Sequence, residues 1–506
     1  MIFRIKRLPG FFWKILRIII QTTSGDILMN KKIVIIGAGP GGYAAAVRAA
    51  QSGAEVTIIE NDTIGGTCLN RGCIPSKIMQ TTAALLDKFQ RAEEFGIDAD
   101  SKARLNIQRL MERKSKIIQT QISGLHSTLQ HHNIRYISGT GCIRHNGVVI
   151  ATPQQSEASE IPYDKLILAV GSSPSEIPGF PFDGEHILSS NHALDLRELP
   201  ESLLIIGGGV IGCEFAFIMS AFGVKVTIVE ALSGILPLPS VDDDCSKVLL
   251  REMKKSKINV LVNRSADSYE TKNGKIHVTL TPSVFAKNLS ERDKKPVIIE
   301  VDKILVCVGR KPDIAGMGLE NISVKTDEKG WVIADENMET HAENVYAIGD
   351  ILGPAKIMLA HVASTEGIIS AENAMGGSRV MNYQVVPNAI FTMPEVANAG
   401  LTETQAKAQG FDVCSGKVLF RTLGKAHVIG EIAGEAKIVS DAASGKILGV
   451  HIVGPHATDL IAEATLAIQM GCSVKELAQT IHAHPTLAEI MMEASFEAMG
   501  GARNLR

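Results

Sequence analysis

The 506-residue chain carries 51 basic and 54 acidic side chains, for a net charge of -3, and is 45% apolar and 21% charged. That balance excludes a disordered chain, a collagen-like fibre and a small disulfide scaffold, and gives no basic field for nucleic acid. At roughly 150 residues per domain the length predicts about three domains, and eight cysteines are too few for a stapled secreted fold.

Residues 1–30 form a basic, apolar arm. Arg4, Lys6, Arg7, Lys14 and Arg17 stand among Phe11, Phe12, Trp13, Ile15, Leu16 and Ile18 to Ile20. Lys14 and Arg17 break any run approaching the roughly 20 apolar residues that cross a bilayer. The arm reads as a surface anchor, as an organelle presequence, or as a segment outside the working protein. The last is favoured because Met29 directly precedes Asn30 and the first strand. Any membrane contact is expected only through this arm. The location is expected to be cytoplasmic, or the mitochondrial matrix if the arm is a presequence.

Lys32 to Ile36 reads as a Val/Ile strand. Gly37-Ala38-Gly39-Pro40-Gly41-Gly42 follows, then an alanine-rich helix from about Tyr43 to Ser52 and a strand from Glu55 that ends beside Glu60. This is the strand, tight turn, helix and strand of a dinucleotide-binding unit. Gly37 permits the turn, Gly39 lets backbone approach a pyrophosphate at the helix N-terminus, and Gly42 lets the helix pack closely. Glu60 is placed to accept ribose hydroxyls. The pattern recurs: Leu203 to Ile206, then Gly207-Gly208-Gly209-Val210-Ile211-Gly212, a helix, and Lys225 to Val229 ending at Glu230. Gly207, Gly209 and Gly212 repeat the first set, and the acid stands at the same distance from the first glycine in both units. Glu230 would repel a 2′-phosphate, so NAD is favoured over NADP.

Each unit closes on a related element, Lys165 to Val170 into Gly171 and Lys303 to Val308 into Gly309-Arg310. A strand-like segment, 343–350, ends at Asp350, which reads as a solvated turn carboxylate or as a contact to a flavin ribityl chain. Two nucleotide folds in one chain imply electron transfer between two cofactors, with FAD the economical partner for NAD. Between the first unit and the rest lies Gly65-Gly66-Thr67-Cys68-Leu69-Asn70-Arg71-Gly72-Cys73-Ile74-Pro75-Ser76-Lys77. The Cys68–Cys73 spacing allows a disulfide across a turn, and redox activity and a structural role both remain open from spacing alone. No further ligands suggest a zinc site, and no metal is expected. Near the C-terminus, His482 and His484 read alone as helix-cap or core residues or, with Glu489, as an imidazole base and its orienting carboxylate.

The cysteine segment, both glycine fingerprints, Gly349-Asp350, Ala360-His361 with Glu366-Gly367, and His482-Ala483-His484-Pro485-Thr486-Leu487-Ala488-Glu489 resemble, in that order, the class I pyridine nucleotide–disulfide oxidoreductases. The resemblance covers about 31–500 and is nearest the members that oxidise dihydrolipoyl groups. Arg71 departs from it, standing where a small apolar residue is usual. The resemblance implies an α/β fold with two Rossmann-like domains, for FAD and NAD, and a C-terminal α+β dimerisation domain. Its expected divisions are 31–182 for the first part of the FAD domain, 183–308 for NAD, 309–383 for the second part of the FAD domain, and 384–506 for the interface. It further implies oxidation of protein-bound dihydrolipoamide with NAD⁺, through a Cys68–Cys73 disulfide and FAD. Cys68 would exchange with substrate, Cys73 would face the flavin, and His484 of the partner subunit, oriented by Glu489, would take the thiol proton. Lys77 and Glu214 would pair beside the flavin. Gly66, Thr67, Met358, Leu359, Ala360 and His361 would join the cofactor contacts, and His482 would be structural. The implied partners are a second copy and the lipoyl domains, lipoylated acyltransferase or H-protein of a multienzyme complex. A glutathione-type reductase is disfavoured by Glu230, and a mercuric reductase by the lack of cysteine after Cys472.

Overall fold

The computed structural model describes residues 31–98, 103–154, 157–287, 289–291 and 293–500. The expectations for the arm 1–30 lie outside these residues. Ile33 to Ile36 is an unbroken apolar run, as a strand covered on both faces requires, and its side chains are almost wholly inaccessible. It lies inside a seven-stranded sheet ordered Val345–Ala347, Lys165–Leu168, Lys32–Ile36, Glu55–Glu60, Arg135–His145, Val148–Pro153 and Ser159–Pro162. The first five strands pair in parallel, and the last two turn back as antiparallel ribbons.

A second, wholly parallel sheet follows the order Asn259–Leu261, Lys225–Val229, Ser202–Ile206, Lys303–Val306 and Ile187–Leu188. The antiparallel strands Arg264–Lys272, Lys275–Pro282 and Val297–Val301 stand beside it. The turns after Gly171 and Gly309 meet: Ser172–Pro174 and Arg310–Pro312 pair antiparallel, so the chain enters and leaves the second sheet's domain side by side. An antiparallel five-stranded sheet, Asn388–Ile390, Glu395–Gly400, Ile447–Gly454, Glu435–Asp441 and Val413–Leu419, organises the C-terminal part.

Most expected elements form with small shifts at their ends. The first nucleotide helix begins at Pro40, not Tyr43, because proline at the first helical position has a suitable φ and no N–H to leave unpaired. The strand expected over 343–350 contracts to Val345–Ala347, since Gly349 takes a positive φ of 74° and opens a 3₁₀ segment. The C-terminal helices are Ala457–Met470, Val474–Gln479 and Glu489–Ala498, which leave His482 and His484 on a non-helical link. Among the described residues no helix is long and apolar enough to cross a membrane.

Candidate active site

The two glycine turns are built alike. Gly37 and Gly207 have φ of 102° and 109°, and a Cβ at either would overlap the carbonyl of Ala169 or Cys307, just past the end of the neighbouring strand. A Cβ on Gly42 would overlap the Gly37 carbonyl, and one on Gly212 the Gly207 carbonyl. The second glycines differ in kind: nothing lies within 4 Å of a Cβ placed on Gly209, and only Gly66 Cα, at 4.0 Å, near one on Gly39. Gly39 and Gly209 cap the helices Pro40–Gln51 and Val210–Ala221 without any side-chain cap. Free N–H groups facing open space are what a pyrophosphate needs, so both turns fit a dinucleotide. Glu60, 7% exposed, accepts from the Ala38 N–H at 2.7 Å and the Asp62 N–H at 3.0 Å. Glu230, equally buried, accepts from Gly208 at 2.7 Å and Leu232 at 2.8 Å.

The cysteine segment rests on the first turn. Gly65 N–H donates to the Ala38 carbonyl at 2.8 Å, and a Cβ on Gly66 would come within 2.7 Å of Gly39 Cα. Thr67 lies in the helix Gly66–Arg71, which breaks at Gly72 before a second helix, Cys73–Gln90. Cys68 is therefore held on one helix while Cys73 opens the next, where the helix dipole favours a thiolate. Asn70, not singled out from sequence, pins the segment by donating to the carbonyls of Thr63, Ile64 and Gly66 at 3.0–3.3 Å. Its position inside the cysteine segment was the only signal.

Both thiols are free, and each shifts the acidity of the other. The Cys68 thiol is pushed far up, first because it donates to Cys73 and then by burial. Cys73 is held down to about 7: the bond from Cys68 and the nearby Lys77 ammonium outweigh burial and the Glu214 charge. Cys73 is solvent-accessible. Lys77 donates to both Glu214 oxygens, at 3.1 and 2.9 Å, and its ammonium sits 4.2 Å from the Phe391 ring centroid. Phe391 N–H in turn donates to Glu214 at 2.9 Å. Nothing in the sequence marked Phe391, because its role depends on the C-terminal domain reaching the second nucleotide helix.

Asp350 accepts from the Ser172 hydroxyl at 2.8 Å, and Arg310 Nε stands 3.6 Å from the same carboxylate. Arg310 also donates to the Ser172 hydroxyl and carbonyl, both at 2.6 Å. Burial lowers the guanidinium's basicity, opposed by Asp350 and Cys73, which puts this cluster within the electrostatic reach of the cysteines. Gly171 and Gly309 lead into the paired ribbon that carries Ser172 and Arg310. Behind Asp350, the buried Glu366 accepts from Gly349 N–H and the Tyr383 hydroxyl, each at 2.6 Å. Met358 and Leu359 precede the helix Ala360–Ala374, whose N-terminus also lacks a side-chain cap. His361 turns its Nε2 to the Pro387 carbonyl at 2.9 Å.

A cavity of about 570 Å³ is lined by Gly39, Pro40, Tyr43, Cys68 and Ser364 among others, joining the first glycine turn to one sulfur. His484 is not among its lining residues. His484 Nδ1 meets Glu489 Oε1 at 2.8 Å, while Glu489 Oε2 accepts from Thr486 N–H at 2.8 Å. The His484 side chain is 78% exposed. His482 is the opposite case: its side chain is 5% exposed, bonded to Glu463 at 2.9 Å and to the Thr480 carbonyl at 2.9 Å. One chain thus brings together the cysteines, Lys77, Glu214, Arg310 and Asp350, and keeps the exposed imidazole apart from them. Among the described residues no cluster of three or more histidine, cysteine or acidic side chains is placed to hold a metal.

The pyridine nucleotide-disulphide oxidoreductase family pattern matches residues 31–367, and the dimerisation domain of the same family matches 386–495. A dihydrolipoyl dehydrogenase of Haloferax volcanii is 38% identical, over 94% of this chain and 98% of its own length. One from Bacillus subtilis is 38% identical over 93% and 98%. Among solved structures, LpdA from Mycobacterium tuberculosis superposes with a TM-score of 0.83 at 29% identity, covering 92% of this chain and 99% of that one.

Proposed function

The chain belongs to the pyridine nucleotide–disulphide oxidoreductase family, and from that premise we propose that it is an NAD-dependent dihydrolipoyl dehydrogenase, oxidising protein-bound dihydrolipoamide to lipoamide. The observation that carries the reading is the cysteine pair: Cys68 faces a cavity shared with the first glycine turn, while Cys73 is held as the more acidic thiol beside Lys77. In the resting oxidised protein the two sulfurs form one disulfide. A substrate thiolate attacks Cys68, the Cys68–Cys73 bond breaks, and the electron pair leaves on Cys73 as a thiolate. The second substrate thiol then closes on the first sulfur and releases Cys68, so that the dithiol is oxidised and the protein pair reduced. His484 of a partner subunit takes the proton from the attacking thiol, and Glu489 orients the imidazole through Nδ1.

The first turn, with Glu60, Gly66, Thr67, Lys77 and Asp350, would hold FAD, which supplies a two-electron relay between a dithiol and a nicotinamide. The second turn with Glu230 would hold NAD. Residues 31–182 with 309–383 would make the FAD domain, 183–308 the NAD domain and 384–506 the homodimer interface. The exposure of His484 in a single chain is consistent with its serving a neighbour's cysteines. The lipoyl group would come from an acyltransferase or H-protein of a multienzyme complex. Bacterial and archaeal relatives favour a cytoplasmic location.

The test is a matrix of dihydrolipoamide, glutathione disulfide and mercuric ion against NAD(H) and NADP(H). Appreciable turnover is expected for dihydrolipoamide with NAD⁺ only. Equal use of the two nucleotides would overturn the role of Glu230, and preference for another substrate the reading as a whole.

A further inference from the structure

The two ribose-facing acids offer an internal comparison, because the same device is built twice in one chain. Glu60 and Glu230 each accept one N–H from their glycine turn and one from the residue two places on. At that following position the first copy has Asp62 and the second has Leu232, which is 39% exposed. The Asp62 carboxylate is paired with Arg71, the last residue of the helix Gly66–Arg71. Leu232, at the matching position after Glu230, has no charge to pair with a cation. The first copy therefore carries a connection that the second lacks: from the helix that holds Cys68, through Arg71 and Asp62, to the acid of the nucleotide fold.

We propose that Arg71 is a positioning residue for FAD: its charge, set beside the Glu60 site on the pair with Asp62, keeps Glu60 an acceptor for the ribose. The inference rests on the FAD reading given above. Both backbone donors point at Glu60, so each of its oxygens is required as an acceptor, and hydroxyls of a ribose add to that demand. A protonated Glu60 turns a donor toward donors and loses acceptor capacity. Burial pushes the Glu60 carboxyl up, toward protonation, and the Ala38 N–H and the Arg71 charge pull it back. The charged groups at the site are Arg71 and Asp62. Tyr136, on the adjacent strand Arg135–His145, is the other titratable neighbour, and burial and the Glu60 charge keep it a neutral phenol in acid. With Arg71 removed, Glu60 takes its proton at higher pH, and the flavin is released there.

The experiment is an acid titration of the flavin-loaded full chain, reading free flavin by its fluorescence and folding by circular dichroism. Arg71→Gln is expected to move the flavin-release midpoint to higher pH and to weaken retention by ~3-fold or more at pH ~5.5, with little change at pH ~8. Arg71→Lys, which keeps the charge, restores most of the wild-type curve. Asp62→Asn is the second variant and remains informative if Arg71→Gln does not fold. It leaves the guanidinium unneutralised, so the midpoint moves to lower pH. Coincident wild-type and Arg71→Gln curves, or an upward shift in Asp62→Asn, overturn the role given to Arg71. A wild-type protein that holds no flavin at any pH refutes the FAD reading itself, which separates the two failures.

Discussion

Lys77, on the helix that Cys73 opens, and Glu214, on the helix after the second glycine turn, form a two-oxygen ion pair that joins the cysteine segment to the second nucleotide fold. Glu214 is almost fully buried, so its charge is tolerable only with this ammonium and the Phe391 N–H beside it. The same ammonium lowers Cys73, which makes one pair of charges both a joint between domains and a control on thiol acidity.

That dual role is measurable on the reduced protein by following thiolate absorbance in the ultraviolet. Wild-type Cys73 should titrate near 7. Lys77→Met removes a cation that favours the thiolate, so the transition moves up toward the ordinary thiol value. Cys68→Ala should move it further, because the hydrogen bond from Cys68 is the larger influence. A Lys77→Met protein still titrating near 7 would show that the dipole and Cys68 suffice without the ammonium. Cys68→Ser and Cys73→Ser should each abolish dihydrolipoamide oxidation with flavin retained. Only Cys73→Ser should lose the long-wavelength thiolate-to-flavin band, and the converse would exchange the roles of the sulfurs.

The C-terminal histidines separate by burial. His484→Gln should lower turnover ~100-fold or more, as expected for losing a positioned proton acceptor. Glu489→Gln should cost less, since the imidazole remains. His482→Gln should be mildest in turnover, yet lower thermal stability by ~1–3 kcal/mol, because a buried hydrogen-bonded ring is lost. Burial raises the Glu489 carboxyl, but His484 and the Thr486 N–H more than offset it, leaving the group below its ordinary value. Its contribution to stability is therefore complete above the ordinary carboxylate range and lost as pH falls through the lowered value. Glu489→Gln should flatten that acid limb in a thermal-melt series. Wild-type kinetics in a dimeric His484→Gln protein would refute the base assignment.

Glycine substitutions should divide the two cofactors. Gly212→Ala places a methyl against the Gly207 carbonyl and should weaken NAD⁺ binding at least ~10-fold while leaving the flavin bound, since one such displacement costs ~1.4 kcal/mol or more. Gly42→Ala, which collides with the Gly37 carbonyl, should instead give protein depleted of flavin. Flavin loss in Gly212→Ala would mean that the two turns are not independent.

Both glycine turns, the acids behind them and the cysteine segment were legible from sequence because each depends on neighbours within one strand–turn–helix unit. The His484–Glu489 contact is also local, spanning one turn of chain. What could not be read are contacts made across domains. Phe391 reaches Lys77 only because the C-terminal sheet docks on the nucleotide helix, and Ser172 meets Arg310 and Asp350 only through ribbon pairing between distant strands. Strand and helix ends also moved where a single dihedral decided them, as at Pro40 and Gly349. Asn70 falls between these classes: the residue was in view, but its three carbonyl partners exist only once the segment has coiled.

The ribbon Ser172–Pro174 with Arg310–Pro312 also sets an order of events on the ribosome. The first sheet takes its edge strand, Val345–Ala347, from chain that follows the whole of the second nucleotide fold. During synthesis the first sheet must wait with the flank of Lys165–Leu168 bare while the second sheet's domain emerges and closes. Because that domain's two ends lie side by side, it can finish folding without disturbing the waiting strands, and domains generally fold as units while the chain emerges. A nascent chain stalled before residue 345 should thus contain a protease-resistant second nucleotide fold and a first one still open to cleavage at its exposed edge.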